Sequence, residues 1–198
     1  MKKIDDDVTN LKKQAIKREK KAKRIVDWGW VIRLFIISFF ISFGFSCASE
    51  LIIPNVDIFV GIIIVLLFIF IGIIFDMIGM SVASANEVPF HSMGARKVKG
   101  AKMAINMIKN SDKVSSFCND VIGDICGIVS GSAGSIVSLS LSNKFGFNPF
   151  FTTLVCMAII SSLTIGGKAI FKSYAINKSN VILYRFCSIL AVFKRNVK

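Results

Sequence analysis

Four apolar segments dominate this sequence and constrain its fold more than any single motif. They cover about residues 29–46, 57–80, 120–142 and 149–168. Each is close to the ~20 residues that an α-helix needs to cross the hydrocarbon core of a bilayer, the first being the shortest. Over the chain, 54% of residues are hydrophobic and only 19% are charged, a balance too apolar for a soluble domain of 198 residues. The sequence therefore predicts an all-α polytopic membrane protein with four transmembrane helices.

The basic residues predict which side of the membrane each loop faces. Of 25 Lys and Arg residues, 10 lie in residues 1–27, 6 in residues 81–117 and 7 in residues 168–198. Four crossings place these three segments on one side, and an excess of Lys and Arg beside membrane helices marks the cytoplasmic side. We therefore expect a cell-membrane protein with cytoplasmic termini, with Cys47 outside the cell and Cys187 inside. Because topology explains the net charge of +13, we expect no nucleic-acid partner.

The same pattern divides the chain into three parts. Residues 1–27 form a basic cytoplasmic arm, residues 28–170 the transmembrane domain, and residues 171–198 a basic interfacial helix held on anionic lipid. The first crossing has two interpretations. We favour an uncleaved signal anchor, because the charged leader is long and Arg33 lies within the apolar part; the alternative is a signal peptide cleaved near the small residues at 46–48.

The central basic segment predicts an amphipathic helical hairpin on the cytoplasmic surface. Hydropathy falls between the second and third crossings, yet Val98, Ala101 and Ile108 recur at helical spacing. The sequence Asn-Ser-Asp-Lys at residues 110–113 is typical of a helix that stops and restarts. The hairpin is expected to join these two crossings.

The third crossing contains a row of small residues. Gly123, Gly127 and Gly131 repeat every four residues, and Ser135 continues the row. Within lipid, small residues at this spacing allow two helix backbones to approach closely. We expect the row to pack against another helix, either in the same chain or in a second subunit. The alternative is a helix face that is merely thin.

Two aspartates in apolar surroundings are the strongest candidates for function. Asp76 lies near the end of the second crossing and Asp124 near the start of the third, so the two carboxylates are expected at similar depth on the cytoplasmic side. A carboxylate near a bilayer centre costs about 2.5–3.5 kcal/mol, which indicates a partner or a use. Oxygen-bearing side chains nearby suit a hard cation such as Mg²⁺. They are Ser81, Ser84, Asn86, Asn119 and Ser130.

Other interpretations of the polar residues remain open. Asp76 could merely reach the lipid headgroups, and Asp124 could be an N-terminal helix charge. Glu87 and His91 are four residues apart and could form a metal or acid–base pair, although Pro89 between them opposes that geometry. The sequence has no nucleophile–base pair and no phosphate-binding glycine loop, so we expect no enzyme activity and no catalytic residue. The five cysteines lack metal-ligand spacing and are interpreted as small buried hydrophobes.

Two stretches of the sequence carry a family resemblance. They are FDMIGMSVASANEVPFHSMGARKVKGAKMAINMIKNSDK, from residue 75, and VIGDICGIVSGSAGS, from residue 121. Together they resemble the transmembrane domain of the CorB/CorC/cyclin-M (CNNM) magnesium transporter family, over roughly residues 57–170. Phe75 and Asp76 align with the start of the family's FSxxE motif, and Asp124 aligns with the first Asn of its IGNxxxN motif.

This resemblance implies a homodimer in the lipid bilayer that binds and transports a divalent cation, most simply Mg²⁺. Family members bind magnesium through the Ser and Asn positions that are aspartates here, whereas the family Glu aligns with Gly79. The candidate metal ligands are therefore Asp76, Asp124, Ser81, Asn86 and Gly123. The alternative is a non-transporting membrane scaffold or regulatory subunit that retains the fold.

Overall fold

The computed structural model describes residues 28–196, with side chains described as far as residue 192, and these residues are almost entirely helical. Among them, four helices are long and apolar enough to cross a membrane, which confirms the all-α class and the expected number of such helices. The chain divides into two units between Ile37 and Ser38, and the predicted basic arm, residues 1–27, lies outside the described residues. All contacts described below lie within the second unit.

The helices are numbered here in chain order. They are α1 (Trp28–Ile52), α2 (Ile58–Ser84), α3 (Glu87–Ala95), α4 (Ala101–Lys109), α5 (Ser111–Ser116), α6 (Asp124–Phe145), α7 (Pro149–Asn177) and α8 (Ser179–Asn196). A 3-10 turn, Ile53–Asn55, follows α1, and a π-helical segment, Phe117–Gly123, joins α5 to α6. The four spans are Trp28–Asn55, α2, the continuous run Ser111–Phe145, and α7.

Polar side chains in the local sequence determine where three of these helices begin. Each accepts a hydrogen bond from a backbone N–H of the first turn, which has no partner within the helix. The caps are Asp57 on Ile58 (2.8 Å), Asn86 on Val88 (3.1 Å) and Asn148 on Phe150 (3.0 Å). The starts of α2, α3 and α7 are therefore local properties of the sequence.

The central element of the fold is α2, which packs against α6, α7, α8 and the π-helical segment. Its N-terminal half contributes to a buried cluster with α6. That cluster contains Ile53, Val65, Ile69, Ile73, Ala133 and Val137. Its C-terminal half contributes to a second cluster with α3, α4, α8 and the π-helical segment. That cluster contains Ile78, Val82, Phe90, Ala104, Cys118, Leu183 and Cys187. One apolar helix thus connects both parts of the core.

The backbones of α2 and α6 approach closely at Gly72. A Cβ atom added there would lie 3.0 Å from the Cβ of Cys126 and 3.3 Å from the carbonyl oxygen of Gly123. A Cβ added at Gly127 would instead meet nothing within 4 Å. Within the chain, the predicted row of small residues therefore makes its tight contact at Gly123. A contact of the rest of the row with a second subunit stays a prediction.

The C-terminal helix α8 packs on protein, a contact that the sequence pattern did not predict. Leu183 and Cys187 are fully buried, the thiol of Cys187 lying 3.6 Å from the sulfur of Met107 in α4. Gly100, just before α4, has a φ of +85°, and a Cβ added there would lie 3.0 Å from the backbone nitrogen of Ser188. Glycine is needed at this position for both reasons. Burial also raises the pKa of the Cys187 thiol to about 11, so this thiol stays protonated at neutral pH.

The positive-inside pattern gives a topology prediction that exposed positions can test. Asn55 and Lys99 are both exposed; Asn55 lies in the turn before α2, and Lys99 lies in the connection between α3 and α4. In intact cells an impermeant maleimide should label Asn55→Cys, whereas Lys99→Cys should react only after permeabilisation, because the basic loop is not translocated. The parent chain supplies the background from Cys47 and the other native cysteines. Labelling of Lys99→Cys in intact cells would reverse the proposed orientation.

The glycine contact gives a matched pair of stability predictions. Gly72→Leu places a side chain against Cys126 and the backbone of Gly123, and overpacking of this kind costs about 1–3 kcal/mol. Gly127→Leu adds the same atoms where there is open space within the chain. In detergent, we expect Gly72→Leu to lower the melting temperature clearly more than Gly127→Leu. Equal effects of the two substitutions would contradict the proposed importance of the α2–α6 approach.

Candidate functional site

Charged side chains from α2, α6 and α7 meet where α2 approaches its C-terminus. Asp76 belongs to α2, Asp124 is the first residue of α6, and Lys168 belongs to α7. The Nζ atom of Lys168 donates a hydrogen bond to Oδ1 of Asp124 at 3.3 Å. A residue from the fourth span thus contacts one of the two predicted carboxylates.

Asp76 lies in the same electrostatic neighbourhood. The ionisable side chains that act on it are Lys168, Asp124, Lys172 and Asp120. We call these five residues, Asp76 included, the charge cluster. With three carboxylates and two ammonium groups, the cluster carries one net negative charge when all its members are ionised. It is therefore a place where an additional cation would be favoured.

Helix lengths give the depth of the charge cluster on the condition that each span enters the hydrocarbon core at its terminal residue. At 1.5 Å per residue, Asp76 lies about 27 Å along α2 and Lys168 about 29 Å along α7 from the start of each helix. Asp124 lies about 32 Å from the end of α6. These lengths match the ~30 Å thickness of a hydrocarbon core. On that condition the charge cluster lies near the far edge of the hydrocarbon core, rather than at its centre.

The ion pair within the cluster is only partly shielded from solvent. The Lys168 side chain is 25% exposed and the Asp124 side chain 64% exposed. Pairs with an exposed partner contribute only about 0.2–1 kcal/mol, because water screens them and both side chains lose freedom. Another cation can therefore compete with Lys168 for Asp124 at little cost.

The π-helical segment shapes one side of the site and ends immediately before Asp124. It contains Asn119, whose side-chain oxygen is buried and has no hydrogen-bond partner within the described residues. This oxygen packs against Gly79, leaving no space there for a side chain. The family Glu aligns with Gly79, so an amide from the π-helical segment lies where the resemblance would place a carboxylate. Segments of π-helix are frequent at functional sites.

Ser81 and Asn86 are engaged elsewhere. Ser81 is fully buried and its hydroxyl donates to the carbonyl oxygen of Met77 at 2.8 Å. Asn86 caps α3, as described above. No described contact joins either side chain to Asp76 or Asp124. The polar groups near Asp76 and Asp124 are thus the other charged side chains of the cluster, rather than Ser81 and Asn86.

Gly123 has no side chain to offer a cation as a ligand. It is buried, and a Cβ added to it would lie 3.4 Å from the carbonyl oxygen of Cys118 and 3.7 Å from both the Nζ atom of Lys168 and the carbonyl oxygen of Gly72. These are ordinary van der Waals distances. The contribution of Gly123 is therefore its backbone, whose carbonyl oxygen lies against Gly72.

The donor set fits a hydrated hard cation better than a fully enclosed one. Within residues 28–192 no group of three or more His, Cys, Asp or Glu side chains is arranged to hold a metal ion. Magnesium needs only one or two carboxylates and keeps several of its waters. Asp76 and Asp124 could supply those carboxylates, with Asp120 adding negative charge nearby.

Sequence reasoning missed the two lysines of the charge cluster. In the sequence, Lys168 and Lys172 belong to the third basic segment, which predicts only topology. Their spacing of four residues places them on one face of a helix, and Lys168 directly follows Gly167. Gly167 packs against Ile73 of α2, which brings this face towards Asp76. The spacing was visible in the sequence, but the helix that it faces was not.

Glu87 and His91 form a separate pair on α3. Their Oε1 and Nε2 atoms lie 2.9 Å apart, and Lys109 lies 3.9 Å from the same carboxylate oxygen. Pro89 does not prevent the pairing, because it lies in the first turn, where backbone N–H groups have no partner within the helix. The His91 side chain is 57% exposed, which is typical of a solvated surface pair.

No family model matches the chain, and comparison with curated proteins and with solved structures finds no match. The resemblance to the CorB/CorC/cyclin-M family therefore stays a prediction that rests on the quoted motifs. Function has to be argued from the charge cluster itself.

Proposed function

We propose that this chain binds a divalent cation, most simply Mg²⁺, at the charge cluster and carries it across the membrane. The observation that supports this is the gathering of Asp120, Asp124, Lys168 and Lys172 around Asp76, with Lys168 bonded to Asp124. In the proposal, this end of the bundle faces the cytoplasm and the protein acts as a homodimer, as the resemblance implies.

Lys168 acts in this proposal as an internal counter-ion. When no metal is bound, its ammonium group neutralises part of the carboxylate charge and bonds to Asp124. An entering divalent cation carries twice that charge and can contact two carboxylates together, so it displaces the ammonium group. Return of Lys168 to Asp124 then helps the ion to leave. A transported ion needs a site of this kind, attractive enough to enter and weak enough to leave.

The alternative function is a non-transporting membrane scaffold or regulatory subunit. It is favoured by the fact that Asp124 already has a cationic partner in Lys168. Ser81 and Asn86 are also satisfied by other contacts. In this alternative the charge cluster only fixes α7 against α2 and α6, and no ion exchanges there.

Magnesium binding should be visible as thermal stabilisation. Because a bound ion stabilises the folded state, millimolar Mg²⁺ should raise the melting temperature of the purified protein. Asp76→Asn and Asp124→Asn should each remove most of that rise, while Glu50→Gln, an exposed carboxylate in α1, should leave it unchanged. Calcium, with its longer and more flexible coordination, should stabilise less.

Lys168→Gln distinguishes the two functions. Removal of the competing ammonium group should tighten Mg²⁺ binding about fivefold. This factor corresponds to the loss of a competing ion pair that contributes about 1 kcal/mol. The same variant should be less stable than the parent chain when no divalent ion is present. If Mg²⁺ leaves the melting of both the parent chain and Lys168→Gln unchanged, the cation site is excluded and the scaffold function stands.

Transport needs a separate measurement of flux. Reconstituted into liposomes that contain a magnesium-sensitive dye, the protein should admit Mg²⁺ down a concentration gradient. Asp76→Asn should abolish most of the flux, because the carboxylate attracts the ion at the membrane boundary, whereas Glu50→Gln should retain it. Magnesium-dependent stabilisation without flux would limit the function to binding.

A further inference from the structure

A groove of about 840 Å³ lies between α2, the C-terminal end of α7, and α8. Its apolar part is lined by Ile74 and Ile78 of α2 and by Phe186 and Ile189 of α8. Ile189 is 57% exposed, so this apolar surface is open to the surroundings. The groove is distinct from the charge cluster, none of whose five residues lines it.

The polar part of the groove is positively charged. Lys178 and Arg185 both line it, and no Asp or Glu of the described chain does so. Within residues 28–192, neither side chain lies in a salt bridge with a carboxylate. The Nζ atom of Lys178 lies 5.2 Å from the centre of the Tyr174 ring, which positions the ammonium group without neutralising it. Among the described residues, the groove thus presents two cations and no carboxylate.

Hydrogen bonds hold the wall formed by α8 in place. The Ser179 hydroxyl donates to the carbonyl oxygen of Ser84 at 3.3 Å, and the backbone N–H of Asn86 donates to Oδ1 of Asn180 at 2.9 Å. Further along α8, Leu183 is fully buried in the core. The groove is therefore already formed, and a ligand would not have to order it.

The position of the groove matches the boundary between hydrocarbon and headgroups. Ile74 and Ile78 lie about 24–30 Å along α2, near the edge of a ~30 Å hydrocarbon core. Lys178 follows the last residue of α7, about 43 Å from the start of that helix and therefore beyond the core. The apolar part of the groove is thus at acyl-chain depth and Lys178 is at headgroup depth.

We propose that this groove is a binding site for an anionic phospholipid. Lys178 and Arg185 hold the phosphate group, and an acyl chain lies along Ile74, Ile78 and Ile189. A phospholipid combines the two properties that the groove requires, a negative headgroup and an apolar chain at the adjacent depth. The proposal does not depend on cation transport, because it uses none of the charge cluster.

The test compares lipids added to the full chain in a neutral detergent that contains a chelator of divalent cations. Dioleoyl phosphatidylglycerol should raise the melting temperature at a lower mole fraction than dioleoyl phosphatidylcholine. Neither glycerol phosphate nor inorganic phosphate should reproduce the effect, because neither fills the apolar part. Equal shifts with the two lipids, or a full shift with a free phosphate, would overturn the proposal.

Variants locate the effect in the groove. The double variant Lys178→Gln with Arg185→Gln should raise the half-saturating mole fraction of phosphatidylglycerol about 25-fold. Each lost cation is expected to contribute a factor of about five. Arg185→Lys keeps the charge and should therefore retain the preference for phosphatidylglycerol. This variant tests the role of charge even if the double variant does not fold. The matched control, Arg96→Gln with Lys102→Gln, removes one Arg and one Lys at exposed positions outside the groove. It should leave the preference unchanged, and an equal loss in this control would show that diffuse charge causes the effect.

Failure of this proposal is distinguishable from failure of the cation proposal. Asp76→Asn should keep the full preference for phosphatidylglycerol, since Asp76 does not line the groove. The lysine and arginine variants of the groove should likewise keep any magnesium-dependent stabilisation. Loss of the lipid preference in Asp76→Asn would contradict the independence of the two sites.

Discussion

The close approach of α2 and α6 at Gly72 is the contact on which the site depends. Within lipid, apolar surface alone does not drive two helices together, so their association relies on close packing and polar contacts. Gly72 provides that packing because it has no side chain, so that Cys126 and the carbonyl oxygen of Gly123 lie directly against its backbone. Asp76 lies one turn after Gly72, and Asp124 directly follows Gly123. The contact that joins the helices therefore also brings their two carboxylates into one neighbourhood.

A second glycine contact brings in a lysine that offsets part of this negative charge. Gly167 packs against Ile73, so α7 lies beside α2 and carries Lys168 into the charge cluster. The two lysines offset two of the three carboxylates, and the partial exposure of the Lys168–Asp124 pair keeps the compensation weak. A weak internal counter-ion suits a site that exchanges cations. A scaffold would need only the pairing, which is why the response of Lys168→Gln to magnesium separates the two functions.

The length of α7 determines how the chain returns to pack at the same end of the bundle. This helix continues to Asn177, well past the ~20 residues that a crossing requires. The chain then turns at Lys178, and α8 returns against α2 and α4, where it buries Leu183 and Cys187. This return covers the end of α2 with protein and creates the groove that Lys178 and Arg185 line. The predicted interfacial character of the C-terminal segment is thus combined with tertiary packing.

The sequence alone determined the class of the fold, because hydropathy over some twenty residues decides whether a helix can cross a membrane. It also determined the starts of α2, α3 and α7, since a capping side chain acts on its own first turn. Two of the charged residues, Asp76 and Asp124, were found from the energetic cost of a carboxylate in apolar surroundings. Only the tertiary structure brought Lys168 to Asp124 and packed Asn119 against Gly79. These outcomes depend on which faces of different helices meet, and that choice is made by contacts between residues some forty positions or more apart in the chain.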